Sequence, residues 1–210
     1  MKDILFNKNY TCVAVSKTKP IEDILKIYNL GHKDFGENKV QELEIKHSIL
    51  PKDINWHMIG HLQTNKVKKI VPFISLIHSV DSIKLLKVIN KESKKINKIT
   101  KCLIQVNISN EEKKYGFKFS DLNFLNSDFL NDYKNIELIG LMGMASYSSN
   151  KLNIQKEFNS LNDKFINLNN NLSSFSILSM GMSNDYELAL SEGSNMIRVG
   201  SKIFGERNYH

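Results

Sequence analysis

Thr11-Cys12-Val13-Ala14-Val15-Ser16-Lys17-Thr18-Lys19-Pro20 is the stretch whose reading decides the fold. Its first six residues are small, apolar or β-branched, the composition of a short buried strand. The run then ends in lysines and a proline, with no glycine. An open doubly wound sheet normally turns from its first strand into a glycine-rich phosphate loop. The ending seen here favours the other common parallel α/β arrangement, a closed (β/α)₈ barrel. A helical stretch follows at 21–29, where Ile21, Ile24, Leu25 and Tyr28 share one face at the helical period.

The same unit recurs along the chain. Strand-like runs are Thr11–Ser16, Lys33–Gly36, Asn55–Ile59, Leu76–Val80, Lys101–Ile108, Ile136–Met144, Ser176–Met182 and Met196–Gly200. Helical stretches are expected at Ser82–Lys95, Ser120–Asp132, Leu152–Leu168 and Asp185–Glu192. Strands alternating with helices read as a parallel sheet, and 210 residues lies near the lower limit for a closed barrel. No Pro/Gly/Ser-rich linker divides the sequence, so 1–210 is expected to form one barrel domain. No apolar run approaches the ~18 residues of a membrane span. The N-terminus turns polar too soon for a signal peptide, which points to the cytoplasm.

The net charge of +7 raises the question of a polyanionic partner. The basic stretches Lys66–Lys69 and Lys91–Lys98 lie on helical segments without interleaved aromatics or arginines, so no nucleic-acid partner is expected. Cys12 and Cys102 sit in apolar strand-like runs with no Cys or His at ligand spacing, and neither a disulfide nor a metal site is expected. Of 29 basic residues only Arg198 and Arg207 are arginine. In such a chain an arginine marks a place that needs the planar, permanently charged fork.

A (β/α)₈ barrel carries its site at the C-terminal strand ends, with phosphate commonly bound after strands seven and eight. Those ends deliver Lys17, Asn38, Gly60-His61, Asp81, Asn107–Ser109, Met144, Gly181–Ser183 and Gly200-Ser201. Alternation along the first strand sends Thr11, Val13, Val15 and Lys17 one way. A lysine facing a partly dry mouth is a usable amine for a Schiff base. The bland reading is a solvated strand-end lysine, and Lys19 shares the same parity. On the eighth strand Ile197 and Val199 share one face, suited to packing under helices. Arg198 then points into the barrel, where it requires an acceptor. Gly200 and Ser201 offer backbone N–H groups to a phosphate. Ser183 adds a hydroxyl, followed by Asn184 and Asp185, which suit a helix N-cap.

Seven ordered motifs carry a resemblance. They are Ala14–Pro20, Phe35-Gly36-Glu37-Asn38, Trp56–Lys66, Gln105–Ser109, Gly140–Met144, Leu178–Ser183 and Ile197–Gly205. Together they resemble the pyridoxal phosphate homeostasis protein family, also called proline synthetase co-transcribed homologue, whose fold is similar to the alanine racemase N-terminal domain. The resemblance implies that Lys17 carries pyridoxal 5′-phosphate (PLP) as an internal aldimine and that Asn38 lies beside the pyridine ring. It implies that Arg198 hydrogen-bonds the ring nitrogen and that Ser183, Gly200 and Ser201 bind the phosphate. Lys114 matches a lysine that the family places after strand five as a secondary contact. Family members usually carry a longer helix before the first strand, which implies a less covered barrel floor here.

The resemblance also implies a monomer whose partners are PLP and PLP-dependent apo-enzymes, holding the cofactor with no catalytic residues. An arginine donor leaves the ring nitrogen unprotonated and the ring a poorer electron sink. A PLP-dependent amino-acid racemase would compensate with a second acid/base from a further domain, for which the sequence past Gly205 leaves no room. A racemase-like enzyme is the alternative. A Schiff-base aldolase, the third reading, would bind no chromophore.

Overall fold

Eight strands, β1 (Thr11–Val15), β2 (Asp34–Glu37), β3 (Asn55–Met58), β4 (Leu76–Val80), β5 (Thr100–Val106), β6 (Ile136–Gly143), β7 (Ile177–Ser179) and β8 (Met196–Val199), pair in parallel in chain order. The ring closes between β1 and β8, with Val13 opposite Arg198. The computed structural model describes residues 1–109, 111 and 114–206. It is the closed (β/α)₈ barrel that the first strand's ending favoured. Arg207 lies outside the described residues.

Before β1 stands α1 (Lys2–Leu5), which buries Leu5. Helices α2 (Ile21–Tyr28), α3 (Val40–Ile49), α4 (Val67–Ile70), α5 (Ile83–Lys95), α6 (Ser127–Asn131), α7 (Lys151–Asn171) and α8 (Tyr186–Ser191) follow β1 to β7 in turn. After β8 comes the short α9 (Ser201–Phe204). The ends are set by local chemistry. Ser82 caps α5 by accepting from the Leu85 N–H, and Asn150 caps α7 by accepting from Leu152 and Asn153. The helix expected over 120–132 is broken. A 3₁₀ segment spans Phe119–Phe124, and Asn126 starts α6 by accepting from the Phe129 N–H at 2.9 Å. The seventh strand is shorter than expected. Gly181 takes φ +95°, and a Cβ there would lie 2.6 Å from that of Ala189, so the chain leaves the sheet to reach α8.

Alternation along the strands makes two cores. Outside the barrel, Phe35, Trp56, Phe158 and Phe175 fill the layer between strands and helices. Burying such a side chain contributes roughly 1.5–3 kcal/mol. Inside, Val13, Leu76, Leu103, Ile139, Met142 and Met196 form a second cluster. Cys12 and Ala14 face the outer layer and Val13 the inner one, as the β1 parity requires. On β8, Ile197 and Val199 belong to the outer layer. Both cysteines are buried free thiols whose pKa values burial pushes up. No helix among the described residues is long and apolar enough to cross a membrane.

Candidate functional site

Lys17 leaves the end of β1 half-buried, in a turn pinned on both sides. Before it, Ser16 donates its N–H to the Gly36 carbonyl at 3.0 Å and its hydroxyl to Glu37 Oε1 at 2.6 Å. After it, Thr18, at φ +64°, donates its N–H to Glu42 Oε1 at 2.6 Å. Lys46 ties the two sides together. Its ammonium donates to the Ser16 carbonyl, Glu37 Oε1 and Glu42 Oε1 at 2.7, 2.8 and 2.7 Å, which uses all three of its donors. Burial raises the Glu37 carboxyl, although Lys46 and Ser16 pull it the other way. A buried ion pair is weak evidence for stability. This one fixes the geometry of a turn.

Lys19 has a different task. Its ammonium donates to the carbonyls of Phe204, Gly205 and Glu206 at 3.1, 3.2 and 3.3 Å. It therefore satisfies the carbonyl end of α9.

Arg198 points into the barrel and is 3% exposed. Nη1 donates to the Ser179 carbonyl at 2.9 Å and to Ser179 Oγ at 2.7 Å, and Nη2 donates to the Gly143 carbonyl at 2.9 Å. A guanidinium has five N–H donors, so Nε–H and one Nη2–H are left without an acceptor among the described residues. Burial lowers its pKa to about 10, with Asp185 acting in the opposite sense, so it stays charged at neutral pH.

At the ends of β7 and β8, Gly200 donates its N–H to Ser183 Oγ at 3.1 Å. The Gly200 N–H expected for a phosphate is thus engaged by Ser183. Among the described residues, the donors left at this corner include the Ser183 hydroxyl proton, the Ser201 hydroxyl and the first N–H groups of α9. Asp185 precedes α8, as expected for an N-cap, but its carboxylate accepts from the Met182 N–H at 2.5 Å instead of from the helix. Burial raises this carboxyl, with Arg198 and the Met182 bond opposing.

Asn38 follows β2, half-buried, and its backbone presses on the end of β3. A Cβ on Gly60 would lie 2.5 Å from the Asn38 carbonyl oxygen, so only glycine permits this approach. On the far rim, His61 Nδ1 meets Asp81 Oδ2 at 2.8 Å, and its ring stacks on Tyr115 with centroids 3.9 Å apart. Lys114 donates to the Ala145 carbonyl at 3.2 Å and pairs with Glu111 at 2.8 Å.

The six expected residues therefore occupy one arc of the mouth. Ser183 follows β7; Arg198, Gly200 and Ser201 belong to β8 and its end; Lys17 follows β1; Asn38 follows β2. These four strands are consecutive around the closed ring. Sequence reading missed what lies beneath the arc. His57, His78 and Ser179 are buried polar side chains, and they join Arg198 in hydrogen bonds. The available signal was polar residues at inward parity within Trp56-His57-Met58, Ile77-His78-Ser79 and Leu178-Ser179-Met180.

The family model described as alanine racemase, N-terminal domain, matches residues 1–208. A protein of Aquifex aeolicus named pyridoxal phosphate homeostasis protein is 39% identical over 199 residues, covering 94% of this chain and 87% of the relative. Its namesake in Schizosaccharomyces pombe is 40% identical over 203 residues, covering 95% and 85%. Among solved structures, PipY of Synechococcus elongatus with PLP bound superposes with a TM-score of 0.85 at 32% identity, over 95% of this chain and 94% of that one. On these matches, the chain belongs to the pyridoxal phosphate homeostasis protein family, built on the barrel of the alanine racemase N-terminal domain.

Proposed function

We propose that the protein holds PLP reversibly on Lys17 and serves the intracellular homeostasis of that cofactor without turning over an amino-acid substrate. The observation that carries this reading is the arc from β7 to β2. It sets an amine, a buried guanidinium with two unspent donors and a hydroxyl-rich corner around one mouth. That set matches the aldehyde, the ring nitrogen and the phosphate of PLP. The family relatives bear the name of this function, and PipY has been solved with PLP bound.

When bound, PLP supplies an aldehyde that condenses reversibly with an amine and a ring that withdraws electrons. The residues decide how far that chemistry goes. The pinned turn presents Lys17 to the mouth. Ser183 and Ser201 hold the phosphate, with backbone N–H groups of α9 added, and Asn38 flanks the ring. Arg198 donates to the ring nitrogen and keeps its own proton, which leaves the ring a weak electron sink. Such a site retains and releases PLP more readily than it stabilises a carbanion. On this reading the protein is a cytoplasmic monomer that exchanges PLP with apo-enzymes.

The rival is a racemase-like enzyme, and His61 is the group it would use, since it carries a carboxylate partner at the strand ends. The deciding experiment incubates PLP-loaded protein with alanine, serine and other common amino acids. The expected result is no racemisation, transamination or decarboxylation above that of free PLP. Saturable turnover that disappears in Lys17→Ala and in His61→Ala would establish the rival.

A further inference from the structure

A continuous polar chain crosses the barrel interior. Asp34 Oδ1 lies 3.2 Å from His57 Nε2, and His57 Nδ1 lies 2.9 Å from His78 Nε2. His78 Nδ1 lies 3.2 Å from Ser179 Oγ, which accepts from Arg198 Nη1 at 2.7 Å. His57, His78, Ser179 and Arg198 are buried, whereas the Asp34 side chain keeps 29% of its exposure. The chain therefore runs from a partly solvated carboxylate at the start of β2 to the guanidinium in the mouth. Nothing in the cofactor reading uses the two histidines.

The ends fix the direction of the protons. A guanidinium can only donate, and a carboxylate can only accept. With both histidines neutral, one arrangement satisfies every link. The Ser179 hydroxyl donates to His78 Nδ1, His78 Nε2–H donates to His57 Nδ1, and His57 Nε2–H donates to Asp34. The Ser179 oxygen is then left to accept from Arg198. A proton added at His57 Nδ1 reverses the middle of the chain. His57 then donates to His78 Nε2, and His78 carries its proton on Nδ1 and donates to Ser179. The hydroxyl oxygen now receives two donors, its own proton must turn away, and it becomes a poorer acceptor for Arg198.

We propose that His57 and His78 are positioning residues for Arg198, which set the orientation of the Ser179 hydroxyl and carry the protonation state of the barrel floor to the group that meets the cofactor ring. Only the last link rests on the cofactor reading; the direction of the chain belongs to the protein alone.

The surroundings support a relay through a neutral His78. Burial, with the charges of His57 and Arg198, holds its imidazole well below the usual histidine value. β2 contributes Asp34, and the approach to β2 contributes His32, whose Nε2 lies 2.9 Å from the Asp34 carbonyl and whose imidazole burial lowers. Burial would raise Asp34, but the bonds from His57 and Asn55 outweigh it and keep the carboxyl below its usual range. β8 contributes Arg198, faced from the start of α8 by Asp185. β1 contributes the Cys12 thiol, which burial and then the Asp34 charge push up, and β1, β5 and β6 contribute apolar Val13, Leu103, Ile139 and Met142.

The test has two readouts. In the ¹⁵N-histidine NMR spectrum of the cofactor-free protein at about pH 8, above the ordinary histidine range, His57 and His78 should both appear as neutral Nε2–H tautomers. A proton on Nδ1 of either ring at that pH would overturn the proposed direction. In the PLP-loaded protein, the visible band should change from about pH 8 to about pH 5.5, across the histidine range. That change should be lost in His78→Leu and in His57→Gln, both of which should still retain the cofactor. His57→Gln keeps a donor for Asp34 at the less enclosed end, so it serves if His78→Leu does not fold. A band that does not respond in the wild type, or that responds equally in the variants, would refute the coupling. Failure of the wild type to bind PLP at all would instead refute the cofactor reading, and the tautomers would still decide the chain.

Discussion

Thr18 and Glu42 meet at 2.6 Å, backbone N–H to carboxylate, one residue past Lys17 and across the gap from β1 to α3. The bond holds a non-glycine residue at positive φ, a conformation that costs about 1–2 kcal/mol. The surroundings must therefore impose this turn, and Glu42 with Lys46 does so from α3. Glu42→Ala should weaken PLP retention by about tenfold, the loss of one charge-assisted hydrogen bond. Thermal stability should fall as well, because the substitution leaves one donor of the buried Lys46 ammonium without its carboxylate. Glu44→Ala, also on α3, breaks a surface pair with Lys69 of α4 and should leave both unchanged. Equal retention by wild type and Glu42→Ala, in a titration with PLP, would remove the clamp.

Arg198 and Ile197 are adjacent on β8 and face opposite layers. Ile197→Ala truncates a fully buried side chain under the helices and should cost about 2–5 kcal/mol of stability, measured by urea unfolding, with PLP still bound. Arg198→Ala should release PLP or shift its visible band, through loss of an interaction of roughly 1–3 kcal/mol. Exchanged phenotypes would mean that the register of β8 is wrong.

His78 and His32 tie stability to pH. Burial lowers both from an ordinary value of 6.5, His78 strongly. Each binds fewer protons folded than unfolded, so its contribution is fully present above 6.5 and is lost as pH falls toward the folded value. The unfolding free energy should therefore drop below that pH, by up to about 1.4 kcal/mol per pH unit for a histidine that stays neutral in the fold. His78→Leu should flatten the slope. Comparing the two proteins isolates His78 from Glu37 and Asp185, whose burial-raised carboxyls act in the opposite sense. A slope unchanged by the substitution would contradict the buried neutral imidazole.

The barrel was legible because buried parallel strands leave uninterrupted apolar runs, and because parity along β1 and β8 survives without knowledge of neighbours. The inward turn of Arg198 followed from that parity alone. α3 was harder to read, since Lys46 sits buried on its inner side and interrupts the apolar period that marks a helix. The 120–132 helix was over-read because its break depends on the Asn126 side chain choosing a local backbone partner. Lys17 and Lys19 were equivalent by parity; the family resemblance favoured Lys17, and the structure adds that Lys19 is engaged by the carbonyls at the end of α9. The His57–His78 chain stayed hidden for the same kind of reason. Each histidine has an ordinary strand context, and the contact between them joins residues 21 positions apart.

The attachment of PLP to Lys17 is the centre of this account, and reduction with borohydride tests it most directly. The purified protein loaded with PLP should be yellow, and reduction should fix the cofactor covalently. Peptide mapping by mass spectrometry should place the added mass on Lys17, and Lys17→Ala should take up no stable label. A principal adduct on Lys19, now accounted for as the brace of α9, or on Lys114 would contradict the account.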